Sequence, residues 1–184
     1  MKHITLIGLT LALLSSCNFQ TNGKPYSVDI LTNEQGEVSD IKIIRNKADS
    51  NYIQLTFFPD GEIQMLREYK DGKENGKNFR WRENGRLAIE GYKKDGDYDR
   101  VTREVYDDGR TAFEGKRTDN EFEGINSSFY ESGAILRQWN RVKSKDFGRS
   151  IYYYENGLVK EIGNHTDTGY VLIGKWDANG ENIE

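Results

Sequence analysis

Cysteine, proline and histidine are nearly absent from this chain. Its 184 residues include one cysteine, Cys17, so no intramolecular disulfide can form and a thiolate zinc cluster is excluded. Histidine occurs at His3 and His165 only, which leaves little material for a metal centre or a histidine base. No apolar run reaches the roughly 20 residues that a membrane helix requires. A basic block is missing as well. The 26 Lys and Arg are interleaved with 30 Asp and Glu, giving a net charge of −4. Nucleic acid binding needs a cationic stripe that displaces counterions, and polybasic membrane adhesion needs a basic cluster; neither is present. Charged residues make up 30% of the chain, yet 11 Tyr, 8 Phe and 3 Trp argue against disorder, because many of them fall at fixed intervals. Scarce aliphatic residues predict a core built from aromatic rings.

The first residues read as an address. Lys2 and His3 precede the apolar stretch Ile4 to Leu14, which has the length of a signal-peptide core. Leu14-Ser15-Ser16-Cys17 resembles a bacterial lipobox, in which cleavage precedes the cysteine and acyl chains are added to it. Residues 1–16 are expected to be a lipoprotein signal peptide, Cys17 the lipidation site, and 17–24 a polar tether. That places the protein on the outer side of a cell membrane or an outer membrane, with the bilayer as its first partner.

Six short turns dominate the rest of the chain: Asp60-Gly61, Asn84-Gly85, Asp108-Gly109, Ser132-Gly133, Asn156-Gly157 and Asn179-Gly180. Their glycines are separated by 24, 24, 24, 24 and 23 residues, and Gln35-Gly36 is a weaker member upstream. Periods of this size mark repeat architectures. A second turn lies 11 residues beyond the first, at Asp71-Gly72, Asp95-Gly96 and Asp119-Asn120, with Ser144-Lys145 in the equivalent place. Asn-Gly and Asp-Gly favour two-residue type I′ hairpins. That geometry would set position −3 (Phe58, Arg82, Tyr106, Tyr130, Tyr154, Asp177, counted from the glycine) opposite position +2 (Ile63, Leu87, Thr111, Ile135, Val159, Asn182). Position −4 would lie on the other face. The expected fold is therefore all-β, an elongated antiparallel meander of about six tandem ~24-residue hairpins, with helix only in the signal peptide. The repeat domain spans 52–184, and 25–51 forms a degenerate first repeat or an N-terminal cap.

The run Tyr69-Lys70-Asp71-Gly72-Lys73-Glu74-Asn75-Gly76, then Trp81-Arg82-Glu83-Asn84-Gly85, resembles MORN repeats. Glu90-Gly91-Tyr92-Lys93-Lys94-Asp95-Gly96 and Tyr152-Tyr153-Tyr154-Glu155-Asn156-Gly157 continue the likeness, which covers about residues 52 to 184. The closer resemblance is to the bacterial variant described as an antitoxin component of toxin–antitoxin pairs. It implies an interaction scaffold without catalytic residues, binding a protein partner in an antitoxin- or immunity-like way.

Little in the sequence points to catalysis. His165 reads as an exposed loop histidine, far from Ser127 and Ser128, which lie in no nucleophile motif. Asp95-Gly96-Asp97-Tyr98-Asp99 resembles a calcium loop in its acidic spacing only, since Arg100 and Tyr106 occupy positions where that loop needs Gly and Glu. No enzyme, metal or cofactor is expected. The −4 aromatics Trp81, Phe129, Tyr153 and Trp176 are the candidate binding face, for a protein or alternatively for glycan or peptidoglycan rings.

Overall fold

The computed structural model describes the backbone of residues 17–21, 24–46 and 50–184, and the side-chain surroundings of 27–44 and 50–184. The signal peptide expected over 1–16 lies outside the described residues. Fourteen strands succeed one another among the described residues. The first are β1 (Cys17–Thr21), β2 (Lys24–Thr32), β3 (Val38–Asn46), β4 (Asn51–Phe57) and β5 (Ile63–Lys70). The central ones are β6 (Lys73–Trp81), β7 (Leu87–Lys94), β8 (Asp97–Val105), β9 (Thr111–Thr118) and β10 (Glu121–Phe129). The last are β11 (Ile135–Val142), β12 (Lys145–Tyr153), β13 (Val159–Thr166) and β14 (Gly169–Lys175). Their order in the sheet is their order in the chain, and each adjacent pair is antiparallel. The fold is thus the expected all-β meander of tandem hairpins, about 60 Å across at ~4.8 Å per strand, with no helix among the described residues. Part of the expected tether is strand: β1 pairs with β2 from Cys17↔Val28 to Thr21↔Lys24, which gives the outer edge of β2 a partner.

The repeating glycines do not sit in type I′ turns. Phe58 N–H bonds to the Glu62 carbonyl at 2.8 Å and Gly61 N–H to the Phe58 carbonyl at 2.9 Å. The same pair of bonds recurs at Arg82, Tyr106, Tyr130, Tyr154 and Asp177, and also at Asn33 in the hairpin that joins β2 to β3. This is a type I turn closed by a glycine in the left-handed region, Gly61 having φ 87° while Asp60 keeps a negative φ. Asp and Asn at position −1 serve through their side chains: Asp60 Oδ1 accepts from Glu62 N–H at 3.1 Å, and Asn156 Oδ1 from Leu158 N–H at 3.0 Å. The expected register is corrected accordingly. Position −4, not −3, lies opposite +2: Phe57↔Ile63, Trp81↔Leu87, Val105↔Thr111, Phe129↔Ile135 and Tyr153↔Val159.

Type I′ geometry belongs to the second turns. Asp71 and Gly72 have φ of 52° and 77°, and Asp95 and Gly96 of 54° and 103°. Lys143 and Ser144 continue the series at 49° and 62°, where the 24-residue spacing sets them and one residue before the expected Ser144-Lys145. Each of these turns also bonds to the hairpin before it, as in Gly96 N–H to Glu74 carbonyl (2.9 Å) and Asn120 N–H to Tyr98 carbonyl (3.0 Å).

Among the described residues, substantial contacts run only between consecutive strands. The core is correspondingly thin. Its main part is one row, a residue per strand from β7 to β13, made of Gly91, Thr102, Gly115, Asn126, Trp139, Ser150 and Gly163, all buried; Ser27, Val105 and Gly174 are buried outside that row.

Candidate binding surfaces

Strand alternation gives the sheet two faces of different chemistry. On the first, side chains flanking the buried row form an alternating stack of cations and rings. Arg117 lies over Tyr98 (4.9 Å) and Phe122 (3.9 Å); Arg141 lies over Phe122 (5.1 Å) and Trp139 (5.2 Å). Arg137 then lies over Trp139 (4.4 Å) and Tyr152 (4.9 Å), and Lys93 extends the stack past Tyr98 (4.8 Å). Each desolvated cation–ring contact contributes about 0.5–2 kcal/mol, so guanidinium and aromatic planes replace an aliphatic core. Burial pushes the Arg117 pKa down, and its Nε has no hydrogen-bond partner. Small residues beneath make room for the rings. A Cβ at Gly115 would overlap Asn126 Oδ1 and lie 2.8 Å from Phe113 and 2.9 Å from Phe122.

The stack ends in a polar cluster. Asp146 accepts from Arg137 Nη2 at 2.8 Å and from Arg141 Nε at 3.0 Å, and Arg137 Nε donates to Ser150 at 3.0 Å. His165 belongs here, which corrects its reading as an exposed loop histidine. The β13–β14 ladder continues to Thr166↔Gly169, so His165 is a half-buried strand residue opposite Tyr170. Its Nε2 is 3.3 Å from Arg137 Nη2, and its ring centroid 4.8 Å from that of Tyr170. Burial raises the Asp146 pKa, but the bonds from Arg141 and Arg137 outweigh it and hold the carboxyl below its ordinary value. Tyr170 donates to Glu161 Oε1 at 2.5 Å, and burial together with that carboxylate pushes its pKa up. Ser150 is fully buried and engaged by Arg137. The cluster holds its charges in fixed pairs, an arrangement suited to locking strands together. Asp95-Gly96, the calcium-like segment, is a type I′ turn whose Asp95 Oδ1 accepts from Asn75 Nδ2 at 3.4 Å.

The opposite face carries the expected candidates. Trp81, Phe129 and Tyr153 lie half-buried in one row along the glycine-turn side, each opposite an apolar partner: Leu87, Ile135 and Val159. Trp176 closes the row, bridged to Asn182, with its ring 2.7 Å from where a Cβ on Gly174 would stand. Val105 occupies the same position in its repeat and is buried, so the row is an apolar strip interrupted at its centre by smaller side chains, Val105 and Thr111. Phe79 meets Trp81 edge-on at 6.1 Å, and the Tyr153 hydroxyl donates to Gln138 at 3.3 Å. Cys17 is not brought near these rings; it lies in β1, five strands before Trp81.

A second apolar row on this face went unread in the sequence. Ile30, Ile41, Leu55, Leu66 and Phe79 are aligned one per strand from β2 to β6. From β7 it turns polar as Glu90, Arg103 and Glu114, where Arg103 bonds Glu114 at 2.6 Å. The signal for the opposite stack was the 24-residue interval itself, since Tyr98 and Phe122, and Arg117 and Arg141, are so spaced. No known protein-family model and no curated protein matches the chain.

Proposed function

We propose that this chain is a non-enzymatic, lipid-anchored repeat protein that serves as a protein-binding scaffold at the bacterial cell envelope. The observation that carries the reading is the apolar strip of Trp81, Phe129, Tyr153 and Trp176, continued by the row from Ile30 to Phe79, on a face that no other described element covers. Apolar surface left uncovered on a regular scaffold is the usual mark of a partner site. The cation–ring face supports the assignment from the other side, because it stiffens the sheet and consumes its own charges. Lipobox-like Leu14 to Cys17 supplies the anchor, and the likeness to MORN repeats supports an antitoxin- or immunity-like role.

The test is crosslinked capture from the native membrane with the full-length chain, beside Cys17→Ser and a Trp81→Ala, Tyr153→Ala double variant. The anchored scaffold is expected to incorporate radiolabelled palmitate, lost in Cys17→Ser. It should recover one stoichiometric protein partner, reduced about tenfold or more when both rings are removed. Undiminished capture by the double variant would sink the strip as the binding face. Recovery of envelope polysaccharide instead of protein would transfer the same rings to glycan binding.

A further inference from the structure

β6, β8, β10 and β12 each carry a bulge against the preceding strand, and one of the four departs from the rest. Gly76, Gly124 and Gly148 turn left-handed there, with φ of 122°, 75° and 79°. The equivalent residue of β8, 24 positions after Gly76, is Arg100 at φ 69°. Among the described residues, every other non-glycine residue of positive φ lies in a turn between strands. A Cβ is crowded in that region, so Arg100 is held there at a cost that glycine would avoid. The Gly76 bulge shows what such a place can hold. Glu68 presses its carboxylate into it: Lys77 N–H donates to Oε2 at 2.9 Å, and a Cβ on Gly76 would overlap that oxygen. One repeat on, Tyr92 stands for Glu68, Arg100 for Gly76 and Val101 for Lys77. A carboxylate has been lost and a guanidinium gained. The Arg100 side chain is 74% exposed, lies over the Tyr92 ring at 5.7 Å, and forms no hydrogen bond among the described residues. Tyr92 and Arg100 line a concavity of about 400 Å³ that Lys70 and Lys94 also border. Its acidic members are Asp95, which accepts from Asn75 at 3.4 Å, and Asp99, 3.8 Å from Arg100 Nε. Lys70 and Lys94 pair with no carboxylate among the described residues, so the rim is left with positive charge in excess.

We propose that this concavity is a carboxylate site, which takes an acidic side chain of the partner protein where the preceding repeat uses its own Glu68. The assignment rests on the reading of the chain as a protein-binding scaffold, and it names the chemistry of the partner. The planar fork of Arg100 suits two parallel bonds to one carboxylate, and the ammonium groups of Lys70 and Lys94 add attraction without fixed geometry. A side chain on a peptide is favoured over a free anion or an acidic glycan for two reasons. The chain's own example, Glu68, is presented from an extended strand, β5. The concavity also adjoins the uncovered apolar row, because Phe79, its last apolar member, meets Tyr92 edge-on at 6.3 Å. An extended segment with an acidic residue two positions from an apolar one places both side chains on the same face, and so meets Arg100 and that row together. The strained backbone then has a reason. Arg100 is retained for binding at the expense of folding, a trade common where function and stability compete.

The test follows the fluorescence anisotropy of a labelled tri-glutamate peptide with the full-length chain in a non-ionic detergent. The parent is expected to bind it and to ignore a tri-glutamine peptide. Arg100→Gly restores the residue of the other bulges, so it should weaken binding about tenfold or more while raising the thermal midpoint by about 2–4 °C. Arg149→Ala removes an exposed cation of β12 and should leave the affinity unchanged, which separates the site from net charge. Equal binding by Arg100→Gly, or an equal loss in Arg149→Ala, would overturn the site. A lower midpoint in Arg100→Gly would overturn the trade of stability for binding. Tighter binding of a galacturonate oligomer or of inorganic phosphate than of the peptide would overturn the acidic side chain as its ligand. Capture from the native membrane separates this proposal from the scaffold reading. A partner recovered undiminished by Arg100→Gly, yet lost with Trp81→Ala and Tyr153→Ala, overturns the site and leaves the scaffold standing. Peptide binding that depends on Arg100, with no protein partner recovered, sustains the site and overturns the scaffold.

Discussion

Position −3 shows how one side chain can join successive repeats. Tyr106 donates its hydroxyl to the Phe129 carbonyl at 2.5 Å, Tyr130 to Tyr153 at 2.8 Å, and Tyr154 to Trp176 at 3.0 Å. Arg82, an interruption when read as a core residue, performs the same service: its Nη2 reaches the Val105 carbonyl at 2.7 Å. At either end of the array Asn33 and Asp177 instead cap their own turns, accepting Glu37 and Glu181 N–H at 2.9 Å each. Phe58 alone has no polar atom to offer. Tyr130→Phe is therefore expected to lower the urea-unfolding free energy by about 0.5–1.5 kcal/mol. Phe58→Tyr should raise it by a smaller amount, by reaching the Trp81 carbonyl; no change in either variant would show these bonds to be incidental. Asp146 makes a prediction with a sign. Its folded pKa is depressed by Arg141 and Arg137 acting against burial, so its contribution is complete above the unfolded carboxylate value of about 3.9 and is lost as pH falls through the folded one. Asp146→Asn should cost about 1–2 kcal/mol at neutral pH. Its urea midpoint should converge on that of the parent as pH drops from about 5 toward 3, and a constant gap would refute the charge-based account.

At the scale of hairpins, two turn types alternate, and each makes its own demand on sequence. The type I turns need one left-handed residue, the glycine, plus an acceptor before it. The type I′ turns need two, and Lys143 with φ 49° meets that demand poorly, because its Cβ crowds the following carbonyl oxygen and it lacks the short polar side chain with which Asn or Asp offsets that cost. Its N–H bonds Glu123 Oε1 at 2.9 Å through the backbone, so the side chain is free to change. Lys143→Asn is expected to stabilise the fold by about 0.5–1 kcal/mol, seen as a higher thermal midpoint; a lower midpoint would contradict this assignment of strain. These turns also mark how far the sequence could be read. Glycine spacing located the hairpins of the six glycine turns, and with them the meander and the −4 row. It could not distinguish a type I turn from a type I′ one, because Asp-Gly serves both, and that choice moved the register by one residue. The stack escaped notice for a different reason: Arg117, Arg137 and Arg141 read as surface charges, and only the bulged register brings them between rings. His165 was misplaced because Asp167 and Thr168 form a hairpin without the usual glycine at its centre.

Across the whole molecule, contact between consecutive strands alone implies that stability is nearly a sum of local terms. The cation–ring stack modifies that picture, because it couples β7 through β12 along one face by shared guanidinium groups. The strands before it, β2 to β5, rest on aliphatic pairs such as Ile41–Leu55 and Leu55–Leu66 and lie outside that coupling. A lesion in the stack should therefore loosen the centre without unfolding the beginning. Gly115→Ala is the sharpest such lesion, since its backbone φ tolerates alanine and only the contacts with Asn126, Phe113 and Phe122 forbid the methyl group. The overpacking is expected to cost about 1–3 kcal/mol. Native-state hydrogen exchange should report the loss in β8 to β11, with protection in β3 to β5 almost unchanged, because the cation–ring stack stops at Lys93 in β7. Uniform loss of protection over all strands would mean that the sheet folds as one cooperative unit, and the stack would then be part of a single core.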